Sequence, residues 1–177
     1  MIRLFAALAL PDAVLDSLFA LEYGVPGARW ASREQLHLTL RFIGEVDGRD
    51  AAAIDDALAA ISAPRFILEL KGVGEFGGKN PRALWAGIEP NEALVHLQRK
   101  IETALQRIGL EAETRKFTPH VTLARLRASP PGRMLDFLTD HALYRSGAFE
   151  VGAFTLFSSV LTSDGSHYTP ERVYALQ

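Results

Sequence analysis

Hydrophobic and polar residues alternate in two short segments of the chain that carry nearly the same four residues. The first reads His-Leu-Thr-Leu at 37–40, and the second reads His-Val-Thr-Leu at 120–123. Because successive side chains of a strand point to opposite faces, each segment should present its histidine and threonine together and its apolar residues on the other side. The pattern therefore predicts two strands, each with an apolar back for the core and a polar front.

The same kind of pattern predicts the elements around these two strands. Apolar residues at helical spacing predict a helix opened by Pro11-Asp12, one capped by Asp47, one capped by Asn91 and a short one after Pro130. Short apolar runs predict strands at about 2–10, 35–43, 65–71, 83–88, 117–126, 149–161 and 172–176. The glycine-rich segment 72–78 predicts a hairpin loop, because it lacks the lysine and hydroxyl residue of a phosphate-binding loop.

The order of these elements repeats along the chain. A strand with a histidine, a helix and two strands follow one another twice, and His37 precedes Phe66 by as many residues as His120 precedes Phe149. Agreement in both order and spacing predicts an internal duplication, at about 35–88 and 118–176, within a single domain of 177 residues. Two related lobes would place the histidine strands face to face across a cleft.

Composition narrows the classes of protein. The chain has no cysteine, which rules out disulfides and thiolate metal sites and fits a reducing compartment, so we expect a cytoplasmic protein. The first apolar run stops at Pro11-Asp12 and is interpreted as a strand rather than a signal peptide, and no run is long enough to span a membrane. A net charge of −2 argues against binding long nucleic acid through bulk electrostatics. A small anionic group held locally remains compatible with it.

Two imidazoles and two hydroxyls on facing strands favour acid–base chemistry at phosphorus. One imidazole can accept a proton from the attacking oxygen while the other donates one to the leaving oxygen, and hydroxyls can bind the non-bridging oxygens. Zinc is disfavoured, because hydroxyls are poor ligands and no third histidine or carboxylate stands at ligand spacing. A serine hydrolase is disfavoured because there is no nucleophile elbow. We therefore expect catalysis without a metal or other cofactor.

At these residues the sequence resembles the 2H phosphoesterase superfamily, which is named for its two His-x-Thr motifs. Within it, the chain is similar to the bacterial and archaeal RNA 2′,3′-cyclic phosphodiesterases that were formerly called 2′-5′ RNA ligases. The resemblance covers nearly the whole chain and is most specific at the two histidine segments. It extends over residues 3–8, 37–45, 72–76, 84–87 and 117–125, and over Ser159, Val160, Leu161, Gly165 and Tyr168 near the end.

The resemblance implies an α+β fold of two pseudo-symmetric lobes of mainly antiparallel sheet, with outer helices and a cleft between the lobes. It implies hydrolysis of 2′,3′-cyclic phosphate at an RNA 3′ end, or of small cyclic nucleotides, to leave a 2′-phosphate. His37 would protonate the departing 3′ oxygen and His120 would activate water, although the sequence alone does not decide between the two. Thr39 and Thr122 would hold the phosphate.

Two arginines are further candidates for binding the substrate. Arg125 matches a family position that contacts phosphate, but strict alternation puts it on the face opposite His120, so it can help only if the strand ends or bulges there. Arg41 shares parity with His37 and is a secondary candidate, whereas Phe42 has the apolar parity and is predicted to lie in the core. Five basic residues and no acid lie between Thr114 and Leu135, which fits either an RNA backbone beside the cleft or a solvated rim.

Two other functions remain open at this stage. The fold could bind an RNA end or a nucleotide without turnover, or it could act as a ligase that forms 2′-5′ linkages, although the sequence has no ATP-binding signature. We expect a monomer that binds no membrane.

Overall fold

Nine strands and four helices make up the protein in a computed structural model that describes all 177 residues. The strands are β1 (Ile2–Leu8), β2 (Ala28–Trp30), β3 (Leu38–Val46), β4 (Phe66–Phe76), β5 (Ala83–Ile88), β6 (Val121–Leu126), β7 (Arg145–Val151), β8 (Ala153–Thr162) and β9 (Gly165–Ala175). The helices are α1 (Asp12–Phe19), α2 (Gly48–Ala59), α3 (Glu92–Arg107) and α4 (Pro131–Asp140). None of these helices is both long and apolar enough to cross a membrane.

The two histidine strands lie side by side at the middle of one antiparallel sheet. The strand order is β7-β4-β5-β6-β3-β1-β8-β9, and β2 pairs with the end of β6. β3 and β6 meet through the pair Leu38 and Val121. Along this order each half has one histidine strand and three further strands, and the half with β6 also includes β2. The predicted α+β fold of two lobes is confirmed.

The two halves do not coincide with the two predicted repeat units. β4 and β5 follow the His37 strand in the sequence, but they pair beside β6 in the half that contains the His120 strand. The half that contains β3 is completed by β1, β8 and β9, which come from the two ends of the chain. The internal duplication stays a prediction, but its proposed bounds are not the bounds of the lobes.

The back of the sheet and the apolar faces of the helices form one core, as the patterns predict. Leu38 and Val121 are completely buried, and α3 buries its stripe of Leu94, Leu97, Ile101 and Leu105. The predicted N-caps are confirmed: the Asp47 carboxylate accepts from the backbone N–H of Asp50 at 2.8 Å, and the Asn91 side chain accepts from that of Leu94 at 2.9 Å. Each cap satisfies a donor that has no partner within its helix.

The hairpin predicted at 72–78 is present, but its loop begins later than predicted, because β4 continues to Phe76 and the chain turns at 77–82 before β5. Its register shifts between Leu70 and Val73, and Gly72 has φ +70°, a conformation that favours glycine. A Cβ atom on Gly74 would lie 2.2 Å from the ring of Trp85, so this glycine leaves the space that the indole occupies. The glycines thus shape a long strand and seat Trp85 against it.

Strand prediction was also incomplete towards both ends of the chain. The predicted strand at 149–161 is two strands, β7 and β8, and the last strand begins at Gly165 rather than near 172. The three-residue strand β2 was not predicted at all. It is too short to show a periodic pattern, and it forms only because it can pair with the end of β6.

Candidate active site

The predicted histidines and threonines come together at the centre of the sheet. His37 and His120 directly precede β3 and β6, and the antiparallel register of the Leu38–Val121 pair sets His37 opposite Thr122 and Thr39 opposite His120. All four line the same cleft, which has a volume of about 1090 Å³. Two imidazoles and two hydroxyls therefore share one front of the sheet.

Both imidazoles are held in the same way by the backbone. Nδ1 of His37 lies 2.7 Å from the carbonyl oxygen of Gln35, and Nδ1 of His120 lies 2.7 Å from that of Thr118. A carbonyl oxygen can only accept, so each Nδ1 must carry the proton that it donates. The neutral ring then has its lone pair on Nε2. Nε2 of His37 lies 2.9 Å from the hydroxyl oxygen of Thr39.

Aromatic rings surround both histidines. The ring of His37 lies 4.9 Å from that of Phe5 and 5.2 Å edge-on from that of Tyr168, measured between centroids. The ring of His120 lies 4.9 Å edge-on from that of Phe76 and 6.3 Å from that of Trp85. Packing on two sides limits the rotation of each imidazole, so the histidines are positioned before any substrate binds.

The electrostatic environment of His37 disfavours its charged form. The pKa of His37 is lowered to about 4, and burial among the aromatic rings is the largest cause of this shift. The hydrogen bond to the Gln35 carbonyl raises the pKa, and the charge of nearby His120 lowers it further. His37 is therefore neutral in the free protein at neutral pH. An anion in the cleft would favour its protonated form.

Each histidine strand contains a β-bulge three residues after its histidine. On β3, Arg41 pairs with Ala6 and Thr39 with Ala7, so Leu40 is the extra residue. On β6, Ala124 pairs with Leu84 and Thr122 with Trp85, so Leu123 is the extra residue. A bulge shifts the alternation of faces by one residue. Arg41 and Phe42 on β3, and the side chains beyond Leu123 on β6, therefore face opposite to what strict alternation predicts.

The bulge on β6 places Arg125 at the front, where it is exposed and lines the cleft. The sequence predicts that Arg125 reaches a substrate only if the strand ends or bulges before it, and a bulge is present. The bulge on β3 brings Phe42 to the front as well, with 45% of its surface exposed, so the prediction that it lies in the core is wrong.

The bulge on β3 also turns Arg41 to the back, and the expectation that its guanidinium serves the substrate is not supported by its contacts. Arg41 is 8% exposed, and its Nε donates to the Glu102 carboxylate of α3 at 2.5 Å. Its two terminal nitrogens donate to the carbonyl oxygens of Phe42 and Glu111. Arg41 reaches the wall of the cleft, but its donors are used within the protein.

Replacing Arg41 with methionine is therefore expected to reduce stability. Removing one partner of a buried ion pair leaves the other charge poorly solvated, so the free energy of unfolding in urea should fall by about 3 kcal/mol. Arg33→Met, which removes an exposed arginine that bridges Asp12 and Asp16, should cost less than about 1 kcal/mol. An Arg41→Met protein with unchanged stability and a raised KM would instead assign Arg41 to the substrate.

Several residues of the cleft were not identified from the sequence. Arg29 on β2 lies directly opposite Arg125, and Arg82 lies beside the end of β6, where its carbonyl accepts from the N–H of Leu126 at 2.9 Å. Glu113 is the one acidic residue lining the cleft, and its hydrogen bonds from Arg115 lower its pKa to about 2. Neither Arg29 nor Arg82 stands in a periodic segment, so no sequence signal marks them.

The hairpin between β8 and β9 is attached to the cleft beside His37. The side-chain amide of Gln35 donates to the carbonyl of Ser166 at 2.9 Å and accepts from the N–H of Ser32 at 2.9 Å. The backbone carbonyl of Gln35 is the acceptor that orients His37. One residue thus connects the orientation of the imidazole to the hairpin that carries Tyr168.

No group of three or more histidine, cysteine, aspartate or glutamate side chains is arranged to hold a metal ion. The cleft instead offers neutral and cationic groups: imidazoles, hydroxyls and guanidiniums. This donor set suits an anion such as a phosphate.

A fold with two His-x-Thr strands at the floor of a cationic cleft defines the class, and the chain belongs to the 2′-5′ RNA ligase superfamily, whose model matches residues 11–161. A relative from Aeropyrum pernix, named RNA 2′,3′-cyclic phosphodiesterase, is 36% identical over 82% of this chain and 84% of its own length. A relative of the same name from Escherichia coli is 28% identical over 98% of this chain and 96% of its own length. The solved structure of E. coli LigT complexed with 3′-AMP matches with a TM-score of 0.82 at 27% identity, over 99% of this chain and 98% of that one.

Proposed function

We propose that this protein hydrolyses the 2′,3′-cyclic phosphate at the 3′ end of RNA to a 2′-phosphate, by metal-free acid–base catalysis with two histidines. The observation that carries the proposal is the pair of imidazoles, each with Nδ1 bound to a backbone carbonyl, that share one cleft with two threonines. The names of the relatives and the nucleotide bound to E. coli LigT support the choice of substrate.

The proposed reaction is an in-line displacement at phosphorus. Nε2 of His120 takes a proton from water, the water oxygen bonds to phosphorus, and the bond from phosphorus to the 3′ oxygen breaks. Nε2 of protonated His37 gives its proton to that oxygen, which becomes a hydroxyl. Hydroxyls of Thr39 and Thr122 donate to the non-bridging oxygens, whose negative charge grows in the transition state, and Arg125 adds positive charge nearby.

The role of His37 depends on the substrate's charge. In the free protein burial keeps the imidazole neutral, with a pKa of about 4. The negative cyclic phosphate favours the protonated form, so substrate binding and protonation of His37 support each other. The acid is then charged in the complex, where it is needed.

Chelation is expected to leave activity intact. Protein treated with EDTA and assayed against a short RNA that ends in 2′,3′-cyclic phosphate should turn over at the untreated rate, because the proposed proton transfers use imidazoles alone. Locating the product phosphate by chromatography should show it on the 2′ oxygen. Loss of activity in EDTA that a divalent ion restores would place the protein among metal-dependent phosphodiesterases.

The same assay separates the two other functions. A protein that only binds RNA ends would hold 2′-phosphate ends tightly and give no hydrolysis. A ligase would join a 2′,3′-cyclic phosphate end to a 5′-hydroxyl end and give longer RNA with 2′-5′ linkages. We expect neither result to replace hydrolysis.

We further propose that the protein acts as a monomer in the cytoplasm. Every residue of the proposed mechanism comes from one chain, and the absence of cysteine suits a reducing compartment. Light scattering after size exclusion should give the mass of a single chain, and fractionated cells should hold the protein in the cytosol. A stable dimer or secretion would contradict this proposal.

A further inference from the structure

The two ends of the cleft differ chemically although the two histidine strands share one design. The residue five positions after each histidine follows the bulge and faces the cleft, and it is Phe42 on β3 and Arg125 on β6. Because β3 and β6 run antiparallel, these residues lie at opposite ends of the cleft. At this position one end carries an aromatic ring and the other an arginine, while Phe76, which packs against His120, also lines the cleft on the arginine side.

The arginine end gathers cationic groups that have no carboxylate partner. Arg29 and Arg125 are paired directly across β2 and β6, and Arg82 lies next to the same end of β6. None of the three forms an ion pair, although nine are present in the protein. One terminal nitrogen of Arg29 donates to the backbone carbonyl of Asp164, which leaves the positive charge without a carboxylate. Like charges opposite each other on adjacent strands reduce stability, and a bound anion would remove that repulsion.

The aromatic end presents a ring that is already held in place. Phe42 is 45% exposed, and its ring is stacked on that of Phe5 with a centroid distance of 5.8 Å and an angle of 7°. A fixed, exposed ring can stack a base of any identity. Of the two cations that line the cleft near this end, Arg115 is already paired with Glu113, at 3.1 Å, and Lys116 is the one without a carboxylate partner. With one unpaired cation beside an exposed ring, against three arginines at the other end, this end is the better suited of the two to a base.

The covalent structure of ribose matches this arrangement. A 2′,3′-cyclic phosphate bridges C2′ and C3′. The base is attached to C1′, beside C2′, and C5′, which carries the 5′ oxygen, is attached to C4′, beside C3′. The base and C5′ lie on the same face of the ring, opposite the cyclic phosphate, but at its C1′ and C4′ sides. When the cyclic phosphate lies at the histidines, the base and the 5′-phosphate can therefore extend towards opposite ends of the cleft.

We infer that the cleft binds RNA in one direction, with the base of the terminal nucleotide stacked on Phe42 and its 5′-phosphate, which continues to the rest of the RNA, held by Arg29 and Arg82. The inference rests on the proposed function and names its substrate more closely. A nucleotide with a 5′-phosphate is a better substrate than the nucleoside cyclic phosphate alone, and the base contributes at the other end.

Three small substrates and four variants test the direction. The substrates are cytidine 2′,3′-cyclic phosphate, the same compound with a 5′-phosphate, and ribose 2′,3′-cyclic phosphate with a 5′-phosphate but no base. For each protein, kcat/KM gives two ratios, one for adding the 5′-phosphate and one for adding the base. The variants are Arg29→Ala, Arg82→Ala, Phe42→Ala and, as a control, Arg127→Ala, an exposed arginine near the end of β6 that does not line the cleft.

Each ratio reports the contribution of one substrate group, either the 5′-phosphate or the base. A general loss of folded protein lowers all rates equally and leaves both ratios unchanged. In the wild-type protein the 5′-phosphate should raise kcat/KM about tenfold or more, as expected for hydrogen bonds between charged groups. Arg29→Ala and Arg82→Ala should each lower this ratio and keep the base ratio. Phe42→Ala should lower the base ratio by about fivefold or more and keep the phosphate ratio. Arg127→Ala should keep both.

Other outcomes would overturn the inference. A wild-type protein that gains nothing from the 5′-phosphate, or arginine variants that keep the phosphate ratio, would remove the phosphate subsite. If Phe42→Ala lowered the phosphate ratio and the arginine variants lowered the base ratio, RNA would bind in the opposite direction. If the wild-type protein hydrolysed none of the three compounds, the proposed function would be wrong, which is a different result from equal hydrolysis of all three.

Discussion

Replacing either His37 or His120 with alanine is expected to lower kcat by roughly 10²-fold to 10⁴-fold, the usual cost of losing a general acid or base. Each variant removes one of the two proton transfers and leaves the other histidine, both threonines and Arg125 in place. The rate should be measured under single-turnover conditions on an RNA that ends in 2′,3′-cyclic phosphate, so that product release does not limit it.

His167→Ala and His96→Ala are matched controls, because both histidines are exposed and neither lines the cleft. They should keep the wild-type rate. The four variants should all show a cooperative thermal transition, since His37 and His120 lie at the polar front of the sheet. If His37→Ala or His120→Ala kept a rate near that of the wild type, the two-histidine mechanism would be wrong.

The parts of the site that follow from strand alternation could be predicted from the sequence. His37 with Thr39 and His120 with Thr122 are two residues apart, with no irregularity between them, so their common face follows from the geometry of a strand. The apolar residues between them are buried, as expected. The caps Asp47 and Asn91 were also predictable, because a cap is a local interaction between neighbouring residues.

The sequence could not show which way the side chains point directly after each threonine. The bulges at Leu40 and Leu123 depend on how β3 and β6 pair with β1 and β5, which is a tertiary property, and each bulge reverses the faces of the residues that follow. This one feature accounts for the wrong prediction at Phe42 and for the directions in which Arg41 and Arg125 point. In each motif a leucine forms the bulge, but leucine at this position is also compatible with a regular strand.

Residues contributed by short or distant segments were missed for a different reason. Arg29 belongs to a strand of three residues, and Tyr168 reaches His37 because β8 and β9 complete the half of the sheet that contains β3. The apparent repeat grouped β4 and β5 with the His37 strand by their order in the chain. Pairing in a sheet is decided by surface complementarity over long sequence separations, which order alone does not reveal.

His120→Ala is expected to lose its residual activity steadily as the pH rises towards neutrality. Only His37 is left in this variant, and as the acid it must be protonated. Burial is the largest cause that lowers the pKa of His37, to about 4 in the wild-type protein, and it persists in this variant, whereas the smaller lowering by His120 is lost. The protonated fraction of the free protein, and with it kcat/KM, should therefore fall as the pH rises above the lowered pKa, by about tenfold per pH unit. His37→Ala should do the reverse: its rate depends on neutral His120, so it should rise with pH and keep only the acidic limb.

The wild-type protein should show a related difference between its two pH profiles. The negative charge of bound phosphate favours protonated His37, so the limb of kcat that reports this group should lie at higher pH than the corresponding limb of kcat/KM. The decisive measurement is kcat/KM of His120→Ala between about pH 5 and pH 8, a range over which free His37 is largely neutral. A rate that is flat there would mean that neutral His37 acts as the base and that the two roles are interchanged. If both variants kept the full bell-shaped profile, the titrating groups would lie elsewhere.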